Sequence, residues 1–430
     1  VAYVTDDGLT IGAASVNEQG EPVPHPDWPQ QHVISFAGEA STRSARPARM
    51  PAAPSLDKWR MARLSELVEG TDDAYQPIDG PDTLEALGSP FGYGWYRVEI
   101  RGANPKTGDV LAPEAADRLH VFQNGLNVEV VGLGPGANDA PTKTAPKDTT
   151  VVLADNLGRF NVGWNVGEKK GLFGHFRDVK QVKLAKPKRG EGPLPDPFQL
   201  RGYWHNLRQG ERYVGETMTW TVKPHGRQPM ILDIRHFPAT GMILFNGEPV
   251  AMYHPILCAG YLRLNLTVGE EIKGGRNEMT FHSIGPFPDK ADPEKHITLY
   301  QTTASVSDKA NWAFAPWRIP DQEAFGPVVK SAPAVPCWFE GTFNVSRAEV
   351  PLFFEANGLS KGQLVLNGHN IGRYFVATAT GKKVGPQERY YLPEPYLRTD
   401  EPNRLLIFDE HGKSPSKSKL VYDSMGPYGE

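Results

Sequence analysis

Short apolar runs separated by turn residues make up most of this chain. The runs span four to eight residues and alternate with Gly, Pro, Asn and Asp, a pattern typical of β-strands joined by tight turns. One segment has a helical pattern instead: in SLDKWRMARLSELVEG, residues 55–70, Trp59, Leu64 and Leu67 share one face. Ser55 suits the N-cap of this helix, and Gly70 suits its C-cap. The pattern predicts an all-β protein with one short helix.

An Asn-Gly pair ends an apolar run three times, in LHVFQNG, MILFNG and QLVLNG. The asparagines Asn124, Asn246 and Asn367 are 122 and 121 residues apart (246 − 124 and 367 − 246). Asn-Gly is a strong hairpin signal, because both central residues of a type I′ turn need a positive φ. A period near ~120 residues matches a whole domain of about 100–150 residues better than a solenoid repeat. We therefore expect three copies of one β-sandwich domain.

Two further features recur with the hairpins. Trp95 begins WYRVEI and Trp338 begins WFEGTFNV, and each Trp precedes its asparagine by 29 residues (124 − 95 and 367 − 338). Both tryptophans are predicted to lie in the core, because sandwiches bury their large residues. Downstream, an Asn or Arg-Asn next to an apolar run recurs in DNLGRFNVG from Asp155, GGRNEMTF from Gly274 and EPNRLLIF from Glu401.

These marks predict a fold of three tandem jelly-roll β-sandwiches preceded by a small annex. The expected divisions are an N-terminal annex or linker at 1–54, a first sandwich at 55–200, a second sandwich, as the next copy or as an inserted domain, at 201–308, and a third at 309–430.

Composition narrows the range of functions. The 430 residues include 44 Gly and 39 Pro and carry a net charge of −4, so nothing indicates nucleic-acid binding. No apolar run reaches transmembrane length, so no membrane partner is expected. Cys258 and Cys337 allow one disulfide or two buried free thiols. The chain begins without Met and shows no signal peptide, as a mature protein that is secreted, periplasmic or at the cell surface would.

The segment GLSKG, residues 358–362, fits the G-x-S-x-G pattern of a hydrolase nucleophile elbow at Ser360. An elbow needs a helix behind its serine, whereas QLVL and Asn367-Gly368 predict a strand and a hairpin. Ser360 is therefore expected to be an inert turn residue. The histidines lack zinc-binding spacings, and neighbouring acids such as Asp72-Asp73 point to opposite strand faces. We predict no catalytic residue, no metal site and no cofactor.

Aromatic residues offer the best indication of a ligand. Sugars present flat C–H faces that exposed Trp and Tyr contact, with polar groups around them. Most tryptophans should be core residues, but Trp164 lies in the Gly-rich segment GRFNVGWNVGEKKG. Arg159 and Asn161 are close to it, and binding residues concentrate in loops. Trp164, Arg159 and Asn161 are therefore the candidate carbohydrate-binding residues.

Several blocks together resemble a known family. FGYGWYRVEI, RLHVFQNG, ADNLGRFNVG, EKKGL, WFEGTFNV, SKGQLVLNGHNIGRYF and GPQERYYLP, in this order, are similar to the C-terminal jelly-roll region of the family 35 β-galactosidases. The resemblance covers about 55–200 and 309–412 and implies galactose-binding-like sandwiches. In that family two glutamates of an N-terminal (β/α)8 barrel carry out catalysis, and no alternating strand and helix pattern of such a barrel occurs here.

Three functions follow as hypotheses. The chain is a non-catalytic region or subunit of a β-galactosidase-like glycoside hydrolase, whose partners are a galactoside-type glycan and a catalytic barrel. Alternatively, it is a stand-alone carbohydrate-binding or surface structural protein. The third possibility is an enzyme whose site the sequence does not reveal. The order of the motifs favours the first, although a fold alone does not establish a function.

Overall fold

A computed structural model describes residues 52–422 apart from 57, 101–108, 144–147, 160–165, 194–213, 225–227, 257, 259, 285, 289–290, 330–334 and 347–349. Before residue 52, the described part is the backbone of five short strands: β1 (Ala2–Thr5), β2 (Gly8–Ile11), β3 (Ala14–Val16), β4 (Pro22–Pro24) and β5 (Ile34–Phe36).

The remaining elements are almost all strands. The first group is β6 (Arg60–Arg63), helix α1 (Ser65–Glu69), β7 (Gln76–Ile78), β8 (Asp82–Thr83), β9 (Tyr93–Ile100), β10 (Val110–Leu111), β11 (Ala115–Ala116), β12 (Arg118–Gln123), β13 (Leu126–Gly132), β14 (Asp148–Asp155), β15 (Gly171–Leu172), β16 (Arg177–Val182) and β17 (Lys188–Pro193). The second group is β18 (Val214–Val222), β19 (Met230–Arg235), β20 (Gly241–Phe245), β21 (Glu248–Tyr253), β22 (Tyr261–Leu266), β23 (Asn277–Ser283), β24 (Ile297–Ser305) and β25 (Asn311–Pro316). The last group is β26 (Gly326–Pro327), β27 (Cys337–Phe343), β28 (Leu352–Glu355), β29 (Lys361–Leu366), β30 (His369–Phe375), β31 (Arg389–Leu392), β32 (Asn403–Asp409) and β33 (Lys419–Tyr422).

These strands form three β-sandwiches, which confirms the predicted fold class. The first sandwich has the sheets β13-β12-β14-β9-β25-β7 and β11-β15-β8. The second has β10-β16-β24-β19-β22 and β17-β18-β23-β20-β21, and the third has β26-β6-β27-β32-β29-β30 and β31-β28-β33. No helix in the described part of the chain is long and apolar enough to cross a membrane.

The sheets exchange strands that are distant in sequence. Strand β25 inserts between β9 and β7 of the first sandwich, although it follows the whole second sandwich in the chain. Conversely, β6 pairs with β27 of the third sandwich. The first and third sandwiches are thus joined through shared strands, while the linear divisions at 200 and 308 stay predictions.

The predicted helix at 55–70 is half wrong. Helix α1 covers Ser65–Glu69, whereas Arg60–Arg63 form strand β6. Pairing with the edge of β27 satisfies the backbone of this segment and buries Met61 and Ala62, which outweighs its local helix propensity. Gly70 ends the helix in the left-handed region at φ 78°, as predicted, but Leu64 rather than Ser55 is the N-cap residue.

The three Asn-Gly hairpins are confirmed. Asn124, Asn246 and Asn367 have φ values of 52°, 53° and 50°, and each is followed by a glycine with a positive φ. Each hairpin also carries a β-bulge at the same place, between the third and second residues before its asparagine. The repeat is therefore a structural repeat as well as a sequence pattern.

Candidate functional site

A cavity of about 490 Å³ lies at one end of the first sandwich, beside the second. The residues that begin β12, end β13 and precede β15 form one wall, and β22 with the preceding turn forms the other. The lining residues are Ala112, Ala115, Ala116, Asp117, Leu119, Val131, Gly132, Leu133, Asp139, Leu157, Gly158, Arg159, Glu168, Lys170, Cys258, Tyr261 and Arg263.

Gly132 shapes the floor of this cavity. Its φ is 113°, and a Cβ atom there would lie 2.2 Å from the carbonyl oxygen of Asp117. Directly after it, the amide of Leu133 donates a hydrogen bond of 2.9 Å to the same oxygen. Only glycine permits so close an approach, so this residue fixes the Asp117 segment against the end of β13.

A buried charged group sits in the wall. The ammonium of Lys170, which is 1% exposed, donates to both carboxylate oxygens of Asp117 at 2.8 Å and lies 2.7 Å from Oε1 of Glu168. The amide of Leu157 donates to Oδ2 of Asp117 at 2.9 Å. Burial raises the pKa of Asp117, and the hydrogen bonds from Lys170 oppose that shift. Two carboxylates thus share one ammonium, which gives the cavity a rigid acceptor-rich edge.

The opposite wall is an aromatic ring held by arginines. The guanidinium groups of Arg235 and Arg263 lie 5.8 and 5.3 Å from the ring centre of Tyr261. Arg263 donates 2.9 Å hydrogen bonds to the buried Asp233 and to the carbonyl of Asp139. Since Asp139 belongs to a loop after β13, these bonds lock the first sandwich to the second around the cavity.

Of the three residues predicted to bind carbohydrate, Arg159 lies on the rim of this cavity. It forms an ion pair with Glu85 and donates to the carbonyl of Pro90 at 3.2 Å. Trp164 and Asn161 lie outside the described residues, so their proximity to Arg159 stays a prediction.

Sequence reasoning missed Asp117, Glu168 and Lys170. The signal available was a charged residue next to an apolar strand, in AADRLHVF and in EKKGL. Such charges usually lie on a solvated face, and only the fold shows that Lys170 and Asp117 are buried together.

The third sandwich has a cavity of about 430 Å³ at the equivalent end, lined by residues that include Asn357, Thr378 and Lys413. There the amide of Val376 donates to the carbonyl of Ser360 at 2.8 Å, which repeats the bond from Leu133 to Asp117. The two cavities therefore occupy the same position relative to the repeated hairpin.

Ser360 itself is fully buried and directly precedes strand β29 rather than a helix. Its hydroxyl donates to Oδ1 of Asp409 at 2.7 Å, and its amide donates to Oδ2 at 2.7 Å. The strand behind the serine and the lack of exposure contradict a nucleophile elbow. Cys258 and Cys337 are both free thiols, which excludes the disulfide alternative.

Comparison with known proteins gives a match to a family model. Residues 336–403, in the third sandwich, match the model of the galactose-binding domain of β-galactosidase. Human beta-galactosidase-1-like protein 2 is 32% identical over 84 residues, which is 20% of this chain and 12% of that protein. Beta-galactosidase-1-like protein 3 of Rattus norvegicus is 26% identical over 116 residues, or 27% and 16% of the two chains. The chain thus spans less than a fifth of the length of these curated relatives.

Among solved structures, a putative beta-galactosidase from Bacteroides fragilis is 11% identical, with 58% of this chain and 41% of that chain covered. The TM-score is 0.19, a similarity too small to assign a fold.

Proposed function

We propose that this chain is a non-catalytic β-sandwich region or subunit of a glycoside hydrolase similar to the family 35 β-galactosidases, and that it binds a galactoside-type glycan. The observation that carries the proposal is the cavity of the first sandwich. It lies at the same end as the cavity of the third sandwich, whose residues 336–403 match the galactose-binding domain. A catalytic (β/α)8 barrel is the proposed partner, and the proposed location is secreted, periplasmic or at the cell surface.

The cavity has the chemistry that a sugar requires. The carboxylates of Asp117 and Glu168 can accept hydrogen bonds from the hydroxyl groups of a sugar. The guanidinium of Arg159 can donate hydrogen bonds to the same hydroxyl groups. Tyr261 supplies an aromatic surface at the opposite wall. Galactose and glucose differ in the orientation of one hydroxyl, so fixed partners for that hydroxyl select between them, because the wrong epimer leaves buried polar groups unpaired.

The same geometry favours binding over hydrolysis. Both oxygens of Asp117 are held by the ammonium of Lys170 at 2.8 Å. A carboxylate whose two oxygens are engaged in this way is a poor nucleophile, whereas glycoside cleavage needs a free carboxylate beside a proton donor. We assign both acids to hydrogen bonding with the glycan.

Binding is tested by titrating methyl β-galactoside and methyl β-glucoside into the full chain by calorimetry or ligand-observed NMR. We expect the galactoside to bind more tightly. Arg159→Ala should weaken it about tenfold, because a hydrogen bond to a charged group contributes about 1.5–3 kcal/mol. Arg276→Ala is the matched control, since its side chain is exposed and lies outside the cavity. Equal affinities of the two sugars, or of the two variants, would contradict the proposal.

Two further measurements test the remaining parts. The chain alone should not hydrolyse a chromogenic β-galactoside; turnover above a mock purification that Asp117→Asn abolishes would overturn the non-catalytic assignment. The coding sequence around this chain distinguishes the subunit from a stand-alone binding or surface protein. A family barrel in the same or an adjacent reading frame supports the first, and its absence from the neighbourhood supports the second.

A further inference from the structure

Three metal-ligating side chains meet where the first and third sandwiches join. His120 comes from β12, and Glu410 and His411 directly follow β32. They are 0%, 1% and 6% exposed, respectively. One potential ligand atom of each lies within 4.8 Å of the others, and Nε2 of His120 is 3.0 Å from Oε2 of Glu410.

The facing atoms lack hydrogen-bond partners. Among the described residues, neither ring nitrogen of His120, nor Oε2 of Glu410, nor Nε2 of His411 makes a hydrogen bond of acceptable geometry. Buried polar atoms are almost always paired, because an unpaired one loses its hydration without compensation. One such atom from each of the three residues lies within 4.8 Å of the other two, which indicates that something else satisfies them.

The other oxygen of Glu410 is occupied, which fixes the carboxylate. Oε1 accepts from the hydroxyl of Tyr93 at 2.9 Å and from the ammonium of Lys361 at 2.5 Å. Asp155 pairs with both Lys361 and Arg373 and so offsets their positive charge near the cluster. Such outer contacts orient a carboxylate ligand and leave Oε2 directed at the two imidazoles.

We propose that His120, Glu410 and His411 form a structural site for a transition-metal ion, Zn²⁺ by preference, that joins the first and third sandwiches. Two imidazoles and one carboxylate are a common zinc ligand set, whereas Ca²⁺ and Mg²⁺ prefer oxygen ligands alone. Ligand atoms around a tetrahedral zinc ion are about 3.3 Å apart. The 3.0 Å between Nε2 of His120 and Oε2 of Glu410 is close to that spacing, and the ligand atom of His411 lies within 4.8 Å of both. Three protein ligands leave the fourth tetrahedral position to a water molecule, and the burial of the site excludes a substrate, so we assign the ion to structure rather than catalysis.

The competing explanation is a direct ion pair between a protonated His120 and Glu410, with no metal. Zn²⁺ and Mg²⁺ titrations of the chelator-treated full chain distinguish the two. With the metal-binding site, one Zn²⁺ binds per chain, Mg²⁺ does not bind, and Zn²⁺ raises the Tm. Co²⁺ in its place gives the visible absorption of a tetrahedral nitrogen and oxygen site.

His411→Ala should weaken Zn²⁺ binding at least about 100-fold, since losing a ligand exceeds the roughly 10–100-fold effect of losing an outer partner. His369→Ala is the matched control, because that exposed histidine stacks on Tyr396 away from the cluster. Each variant is compared with its own metal-free form, so that a loss of folding is seen separately, and His120→Gln repeats the test from the other sandwich. The proposal is overturned if the wild-type chain binds no Zn²⁺ at one equivalent, or if His411→Ala and His120→Gln bind it as tightly as wild type.

Discussion

In each sandwich one sheet contains the Asn-Gly hairpin, and we call it the hairpin sheet. The first and third sandwiches differ from the second in a residue of this sheet. In the first and third sandwiches, the sheet order places one strand between the first strand of the hairpin and a strand with a fully buried tryptophan. These tryptophans are Trp95 and Trp338. The same register position in the second sandwich is Thr217. The three sandwiches thus have the same hairpin but differ in the residue at this register position of the sheet.

The reason lies in the packing of the sheets. The hairpin sheets of the first and third sandwiches face each other and share one hydrophobic cluster. In this cluster the ring centres of Tyr93 and Phe408 are 4.8 Å apart, and Trp317 stacks on Trp338. The second sandwich has a separate cluster around Trp220 and Phe281. The tryptophan therefore occurs at this position where two sandwiches pack their hairpin sheets together and large side chains fill the space between the sheets. In the second sandwich, which has its own cluster, the position holds a threonine.

The largest expected effect breaks the shared core. Trp338→Ala should lower the free energy of unfolding by about 3–5 kcal/mol, as Trp truncations in cores do. Because the cluster is shared, amide hydrogen exchange should increase in the first and third sandwiches together. Trp220→Ala, in the core of the second sandwich, is the matched change and should increase exchange there alone. Faster exchange confined to the third sandwich in Trp338→Ala would show that the two cores are independent.

A second test compares the three hairpins. The side chain of Asn246 bonds to Asn277 and to the amide of Glu278, and that of Asn367 bonds to Asn403 and to the amide of Arg404. Substitution by Gly keeps the positive φ without strain. It removes these bonds, together with those that Nδ2 of Asn246 and Nδ2 of Asn367 donate to the carbonyls of Glu271 and Tyr396. Asn246→Gly and Asn367→Gly should each cost about 1–3 kcal/mol in urea unfolding.

Asn124→Gly is the internal control. Asp148 occupies the register position of Asn277 and Asn403 in the first sandwich, and no side-chain bond of Asn124 is seen in the described part of that copy. Asn124→Gly should change stability by less than about 0.5 kcal/mol, as neutral surface substitutions do. Equal costs at all three asparagines would mean that the turn conformation, rather than the network, stabilises the repeat.

The smallest expected effect concerns surface charge. Arg276 pairs with Glu278 in the second sandwich and Arg398 pairs with Glu401 in the third, all four side chains being about half exposed or more. Exposed pairs contribute about 0–1 kcal/mol. Arg276→Ala and Arg398→Ala should both fall in that range by urea unfolding, and a larger loss in one copy would reveal a difference that the core does not explain.

Local signals in the sequence predicted what local geometry decides. Asn-Gly pairs fixed the hairpins because the turn itself demands positive φ, and the equal spacing of Trp95 and Trp338 reflects an equal register. One repeated feature was assigned to the wrong segment. The sequence pattern paired DNLGRFNVG, which begins at Asp155, with the segments of Asn277 and Asn403, whereas the sheet registers place Asp148 at the position of these asparagines. An asparagine next to an apolar run is too common a pattern to set a register.

Contacts between distant segments were beyond the sequence. Nothing local in Arg60–Arg63 shows that the segment pairs with β27, and its apolar spacing fits a helix equally well. The candidate site also depends on contacts between distant segments. Asp117 and Lys170 are separated along the chain, and they lie together only when β12 and β15 are in place. His120 and Glu410 are further apart still, so no spacing rule for metal ligands could have paired them.

The position of β25 has a consequence for synthesis. Because β25 pairs with both β9 and β7, the sheet of the first sandwich is incomplete until the ribosome has made residues 311–316. By then the strands of the second sandwich, up to Ser305, have already been translated. Until β25 emerges, β9 has an open edge, which in a nascent chain is a site for wrong pairing. We therefore expect the second sandwich to fold first on the ribosome, out of chain order, and the first and third to complete their shared core afterwards.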